Sequence, residues 1–153
     1  MLELAVPGFG LLRIAHLVLD YNGTLAVDGR PLPGVRPRLE RLGRCMRIHV
    51  LTADTFGKAC TGLRGVDCKL EILQSDRAKA AYVRRLDARR VACIGNGRND
   101  RLMLRIARLG IAVLQAEGAA AATLAVADLV VPSAADALDL FLQPRRLVAS
   151  LRS

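Results

Sequence analysis

Six short apolar runs, each breaking into small or polar residues, set the pattern of this chain. Leu17-Val18-Leu19 ends at Asp20 and is followed by Tyr21-Asn22-Gly23-Thr24. Ile48-His49-Val50-Leu51 ends at Thr52-Ala53, and Val91-Ala92-Cys93-Ile94 ends at Gly95-Asn96-Gly97-Arg98-Asn99-Asp100. Cys68 to Leu73, Ile111 to Leu114 and Leu129 to Val131 complete the set. Runs this short and this apolar are those of strands covered on both faces. Helical signals fall between them. Gly34 to Arg44 carries Pro37 in its first turn and Leu39 and Leu42 at helical spacing. Asp54 or Thr55 caps a helix after the second strand, and Ser75-Asp76 caps another that reaches Leu86, with Ala80, Val83 and Leu86 on one face. Further helices are predicted over 99–109, over the alanine-rich stretch 118–127, from Ser133 to Leu142, and from Pro144 onward. Strand and helix alternate throughout, which predicts an α/β fold with a doubly wound, mainly parallel sheet in three layers.

Two hairpins stand outside that alternation. One spans 1–15 around Pro7-Gly8-Phe9-Gly10, and the other, 25–33, turns at Asp28-Gly29. In open α/β sheets ligands bind at the C-terminal ends of the strands. The polar breaks after residues 19, 51 and 94 are therefore expected to converge on one site.

Composition narrows the reading. At 153 residues the chain is one domain, and with 52% hydrophobic but only 3% aromatic residues its core must be aliphatic. The net charge of +9 comes mostly from arginine. By spacing, Arg98, Arg101, Arg105 and Arg108 share a helix face, read as a solvated face, with an electropositive approach for an anion as the functional alternative. The scarcity of aromatics argues against a single-strand nucleic-acid platform. Cys45, Cys60, Cys68 and Cys93 form no C-x-x-C pair, which points to reduced thiols and a cytoplasmic setting. Glu3, Arg13 and His16 interrupt the N-terminal apolar stretch, so neither a signal peptide nor a membrane span is expected.

The ordered polar breaks resemble the motifs of the haloacid dehalogenase superfamily, and most of all the phosphorylation domain of P-type ATPases in stand-alone form. Asp20-Tyr21-Asn22-Gly23-Thr24 is similar to D-x-D-G-T, Thr52-Ala53-Asp54 to T-G-D, Lys79 to the lysine before strand four, and Gly95 to Asp100 to G-D-G-x-N-D. The resemblance covers roughly residues 17 to 131 and implies a Rossmann-like fold with strand order 3-2-1-4-5-6. It also implies a Mg²⁺-dependent phosphatase or phosphotransferase acting on a phosphorylated substrate. Asp20 would be the nucleophile that forms an aspartyl-phosphate. Asn22, Thr52 and Lys79 would complete the catalytic set, and Gly23, Thr24, Ala53 and Asn99 would bind substrate. Asp20, Asn22, Asn96 and Asp100 would hold the metal.

The chain departs from the family pattern in three ways. Asn22 stands where the family has its general acid, and an amide has no proton to transfer, so turnover should be slow by about 10²–10⁴-fold. Asn96 stands where the family has an aspartate ligand, which keeps a hard oxygen but removes a charge. The segments 24–46 and 52–79 are too short for a cap domain, leaving an open site. That openness, together with the apolar hairpin's free edge, raises the expectation of a homo-oligomer. The rival reading is a regulatory or interaction module that keeps the fold and turns nothing over. A receiver domain fits less well, because no paired acids precede Asp20, and nucleic-acid binding rests on net charge alone.

Overall fold

In the computed structural model, which describes residues 1–53 and 57–153, the six apolar runs lie side by side in one parallel sheet. A β-hairpin comes first, β1 (Leu2–Val6) paired antiparallel with β2 (Gly10–Ile14). The first sheet strand is β3 (His16–Asp20), followed by the small hairpin of β4 (Ala26–Val27) and β5 (Arg30–Pro31). Then come α1 (Val35–Gly43), β6 (Arg47–Thr52), α2 (Lys58–Gly62), β7 (Lys69–Ile72) and α3 (Asp76–Arg85). The second half holds β8 (Val91–Gly95), α4 (Arg101–Ile106), β9 (Leu109–Val113), α5 (Ala121–Leu124), β10 (Leu129–Val131), α6 (Ala134–Leu142) and α7 (Pro144–Leu151). The sheet order is β10-β9-β8-β3-β6-β7. Counted by sheet strand this is 3-2-1-4-5-6, with the first and fourth strands adjacent, as expected.

Strand parity builds the layers. Leu17 and Leu19 of β3, Ile48 and Val50 of β6, and Ala92 and Ile94 of β8 join one core with Leu39 and Leu42 of α1 and Leu138 and Phe141 of α6. The alternate residues Val18, Leu51 and Cys93 join a second core with Tyr82 and Val83 of α3 and Met103 and Leu104 of α4. Both faces of the sheet are thus covered, which is why its strands carry no polar alternation. Two helix starts follow from local chemistry. The Ser75 and Ser133 side chains accept from the Ala78 and Asp136 amides and cap α3 and α6. The expected cap at Asp54 or Thr55 lies outside the described residues. Among the described residues no helix is long and apolar enough to cross a membrane.

Three expectations need correction. The helix predicted over 99–109 is a 3-10 turn (Arg98–Asp100) followed by α4, which stops at Ile106. The Arg108 amide bonds the carbonyls of Ala88 and Val91, drawing the chain back to the sheet so that Leu109 already belongs to β9. The alanine-rich helix shrinks to the four residues of α5. Gly118 is left-handed at φ 71°, and the Ala120 amide is spent on the Asn96 carbonyl rather than on a helical turn. Downstream, Asp128 exchanges hydrogen bonds with Gly110 and starts β10. The four arginines do not share one helix face. Arg108 leaves the helix to stack 4.6 Å from the Phe9 ring and donate to the Phe9 carbonyl, pinning the N-terminal hairpin.

The tight passage from α4 to β9 makes one residue irreplaceable. A Cβ on Gly110 would sit 2.6 Å from the Leu104 carbonyl oxygen, which is backbone and cannot yield. Gly110→Ala is expected to destabilise the fold by about 1–3 kcal/mol, the usual cost of overpacking. Urea denaturation checks this, and an unchanged midpoint would show that the helix and strand have room to part.

Candidate active site

Strand register brings the polar breaks together. Asp20 pairs with Leu51 across β3 and β6, and Leu19 with Ile94 across β3 and β8. Asp20, Thr52 and Gly95 therefore close three adjacent strands at one level. Beyond Asp20 the chain turns sharply, with the amides of Thr24, Leu25 and Ala26 all directed at the Tyr21 carbonyl. Gly23 makes this turn possible. Its φ is 76°, and a Cβ there would lie 2.4 Å from the Asn96 Nδ2.

A lysine sits at the centre of this edge. Lys79 lies in the first turns of α3 with no solvent exposure. Its Nζ donates to Asp20 Oδ1 at 2.6 Å and to Asp100 Oδ1 at 2.7 Å. The other Asp100 oxygen accepts the amides of Asn96 at 3.0 Å and Gly97 at 2.9 Å, so Asp100 is fully satisfied inside the protein. One ammonium therefore serves two buried carboxylates, and the cluster carries an excess negative charge. Burial foremost, then the Asp100 charge, push the Asp20 carboxyl up to about 7 against the pull of Lys79. Burial works against the Lys79 ammonium, but the two carboxylates outweigh it and hold its proton more tightly than usual.

A second cluster ties the turn after Asp20 to the loops around it. The buried Thr24 hydroxyl donates to Asn96 Oδ1 at 3.3 Å, and Asn96 Nδ2 donates to the Gly118 carbonyl at 2.9 Å. The Asn96 amide thus serves as a tie between three loops. Gln115, just past β9, donates through Nε2 to the carbonyls of Gly23 at 2.9 Å and Thr24 at 2.7 Å, while its Oε1 accepts the Ala134 amide. Two residues on, Glu117 accepts the Asp28 amide at the tip of the β4–β5 hairpin. Sequence reasoning missed Gln115. A polar residue in a polar loop gives no signal, and its left-handed φ of 45° is visible only in the fold.

The remaining predicted residues are placed as follows. Thr52 is buried at the end of β6, while Ala53 and Asn22 are exposed at the rim. Asn99 is partly buried in the 3-10 turn before α4. Asp20, Lys79 and Asp100 are in direct contact, and Gly23, Thr24 and Asn96 form the adjoining tie. Among the described residues no three His, Cys, Asp or Glu side chains converge as a ready-made metal cage.

The fold that carries this site is shared with solved proteins. The 3-deoxy-D-manno-octulosonate 8-phosphate phosphatase of Moraxella catarrhalis, solved with a magnesium ion, a phosphate ion and the KDO molecule, superposes with a TM-score of 0.73 at 16% identity, covering 91% of this chain and 94% of that one. The cobalt-bound form of the corresponding Haemophilus influenzae phosphatase gives 0.70 at 15% identity over 92% and 94%. The catalytic domain of the CPx-ATPase CopB-B gives 0.59 at 22% identity, covering 77% of this chain and 46% of that one. The fold is therefore that of the haloacid dehalogenase superfamily, the class its motifs resemble. No family model matches the chain. In sequence it belongs with two proteins of Methanocaldococcus jannaschii, both named as uncharacterized: MJ0073, 47% identical over 64 residues (42% of this chain, 69% of that protein), and MJ0072, 46% identical over 39 residues (26% and 89%).

The charge arrangement fixes a pH dependence. Asp20 holds its proton up to about 7 in the fold against 3.8 as its ordinary value, so between these the folded state binds more protons than the unfolded chain. Stability in EDTA should fall as pH rises from 4 to 7 and then level off, and Asp20→Asn should flatten that slope. Lys79→Met, which strands two carboxylates, should cost about 3–5 kcal/mol at high pH and less in acid. Denaturation of the three proteins at both ends of the range decides it. A Lys79→Met loss that is independent of pH would contradict the shared-cation account.

Proposed function

We propose that the protein is a phosphohydrolase or phosphotransferase in which Asp20 becomes phosphorylated. The observation that carries this reading is the Lys79 ammonium bonded at once to Asp20 and Asp100. A buried cation beside a strand-end carboxylate is what an attack on phosphorus needs. It orients one Asp20 oxygen and neutralises charge as the phosphoryl group arrives. The phosphatases with which the fold superposes support the reaction class.

In the first half-reaction an Asp20 oxygen attacks phosphorus, the bond to the leaving oxygen breaks, and that oxygen departs with the electron pair. The Thr52 hydroxyl at the end of the neighbouring strand would donate to a phosphoryl oxygen, while the Gly23 and Thr24 amides, bonded to the Ala26 and Tyr21 carbonyls, hold the shape of the turn beside it. In the second, water attacks the acyl phosphate and Asp20 is released. Both halves move a proton, to the leaving oxygen and then from water, and Asn22 can do neither. Substrates whose leaving group needs no proton, such as acyl or aryl phosphates, should therefore react best, and the aspartyl-phosphate should be long-lived.

The donor set suits a hard divalent cation in kind, though with little charge. Asp20, the Asn22 backbone carbonyl, the Asn96 amide oxygen and Asp100 would hold it. Asp100 would do so through Oδ1, which among the described residues accepts only from Lys79, while its other oxygen stays on the Asn96 and Gly97 amides. Bound Mg²⁺ would neutralise charge between Asp20 and the phosphoryl oxygens.

The test is a comparison of leaving groups. Asn22→Asp should raise the hydrolysis of an alkyl phosphate on the order of 10²-fold and that of acetyl phosphate much less. Asn96→Asp should lower the Mg²⁺ concentration required while leaving the saturated rate nearly unchanged. An equal gain for both substrates would remove the missing acid from the account. Failure of every variant to turn over any phosphoester with Mg²⁺ would leave a phosphate-binding module in place of an enzyme.

A further inference from the structure

The opposite ends of the same strands open onto a cavity of about 420 Å³ that the chemistry at Asp20 does not use. His16, Arg47 and Lys69, the first residues of β3, β6 and β7, stand at its mouth. Met46, Ile48 and Leu86 give it an apolar wall, and Tyr82 and Arg85 reach it from α3. Across it runs a chain of hydrogen bonds: His16 Nδ1 to His49 Nε2 at 3.0 Å, and His49 Nδ1 to the Tyr82 hydroxyl at 2.9 Å. His49 is 5% exposed and Tyr82 2%, so the inner links are shut off from water while His16 is partly open.

With both imidazoles neutral the chain closes in two ways. Either Tyr82 donates to His49 and His49 to His16, which leaves His16 Nε2–H as a donor, or every bond reverses and the Tyr82 hydroxyl is left with its proton to give. One donor remains in both arrangements. Burial foremost, then Arg47 and Arg90, hold the His16 ring below its ordinary value. His49 is lowered to about 4 by burial, then by His16, Lys69 and Arg47, with Glu71 opposing.

The charged groups facing the two rings and lining the cavity are Arg47 from β6, Lys69 and Glu71 from β7, Asp67 before β7, Arg85 from α3 and Arg90 before β8. Cations dominate. Lys69 is paired with Glu71, whereas Arg47 and Arg85 have no carboxylate partner among the described residues. The result is a recess with an apolar wall, a hydrogen-bond donor inside and unpaired guanidinium groups at the rim.

We propose that this cavity binds a small organic anion, with its carboxylate or phosphate head on Arg47 and Arg85 and its apolar body against Met46, Ile48 and Leu86. Guanidinium groups match either head bidentately, and the volume is that of an ordinary small-molecule site. The ligand is an effector rather than the phosphoryl donor, because it sits at the far end of the strands from Asp20. The proposal does not depend on the reaction assigned to Asp20.

Imidazole nitrogen spectra of the intact chain, titrated with benzoate and separately with phenyl phosphate, test it without any activity readout. Saturable shifts of the His16 and His49 nitrogens are expected, together with a rise in the His16 pKa as an anion offsets the surrounding cations. Arg47→Gln and Arg85→Gln are each expected to weaken binding about tenfold. Both arginines are exposed, so these variants leave the core intact. A response to benzoate alone identifies a carboxylate ligand, and a response to phenyl phosphate alone a phosphate. No shift with either, or shifts unchanged in the double variant, would overturn the proposal.

Discussion

One buried ammonium shared by two carboxylates holds the functional end of this molecule together. Lys79, Asp20 and Asp100 come from three distant parts of the chain and meet within 2.7 Å. Taking three charges out of water is costly, and their mutual attraction repays the cost only if the geometry is held. The surrounding structure does that holding. Parallel pairing sets the level of Asp20, the Ser75 cap fixes the start of α3, and the amides of Asn96 and Gly97 grip the second Asp100 oxygen. Asp20 is the only member with an outlet, since Asp100 is completely enclosed and Asp20 keeps slight exposure. Asp20, the group proposed to react, is therefore the one that the cluster leaves least satisfied.

Much of this was legible in the sequence, for identifiable reasons. Fully buried parallel strands are continuous apolar runs, so all six could be placed, and Ser75, Ser133 and Pro144 announced their helices through local backbone chemistry. The errors lie where long-range hydrogen bonds override local propensity. Alanine favours helix from 119 onward, but Asn96 claims the Gly118 carbonyl and the Ala120 amide. Arg108 continues a helical charge spacing, yet its amide is taken by Ala88 and Val91 and its side chain by Phe9. Gln115 left no trace, because its function depends on a left-handed backbone that turns its amide back over Gly23 and Thr24.

The two asparagines in the motifs differ in kind. Asn96 has acquired a structural post: its amide donates and accepts at once, binding Thr24 to Gly118, a task a carboxylate could only half perform. Asn22 has no such employment in the interior and lies exposed beside the turn. The first substitution reads as a change in how the loops are tied, the second as a change in proton transfer. On the proposed reading, such a site would form a covalent phosphoryl adduct more readily than it hydrolyses it.

The central claim is that Asp20 is the residue that accepts a phosphoryl group. Intact-mass analysis after incubation with acetyl phosphate and Mg²⁺, followed by peptide mapping of the adduct, tests it most directly. The account predicts one phosphoryl group per chain, stable in acid and labile in alkali, located on Asp20 and absent from Asp20→Asn. An adduct elsewhere, or none on a folded protein, would contradict it.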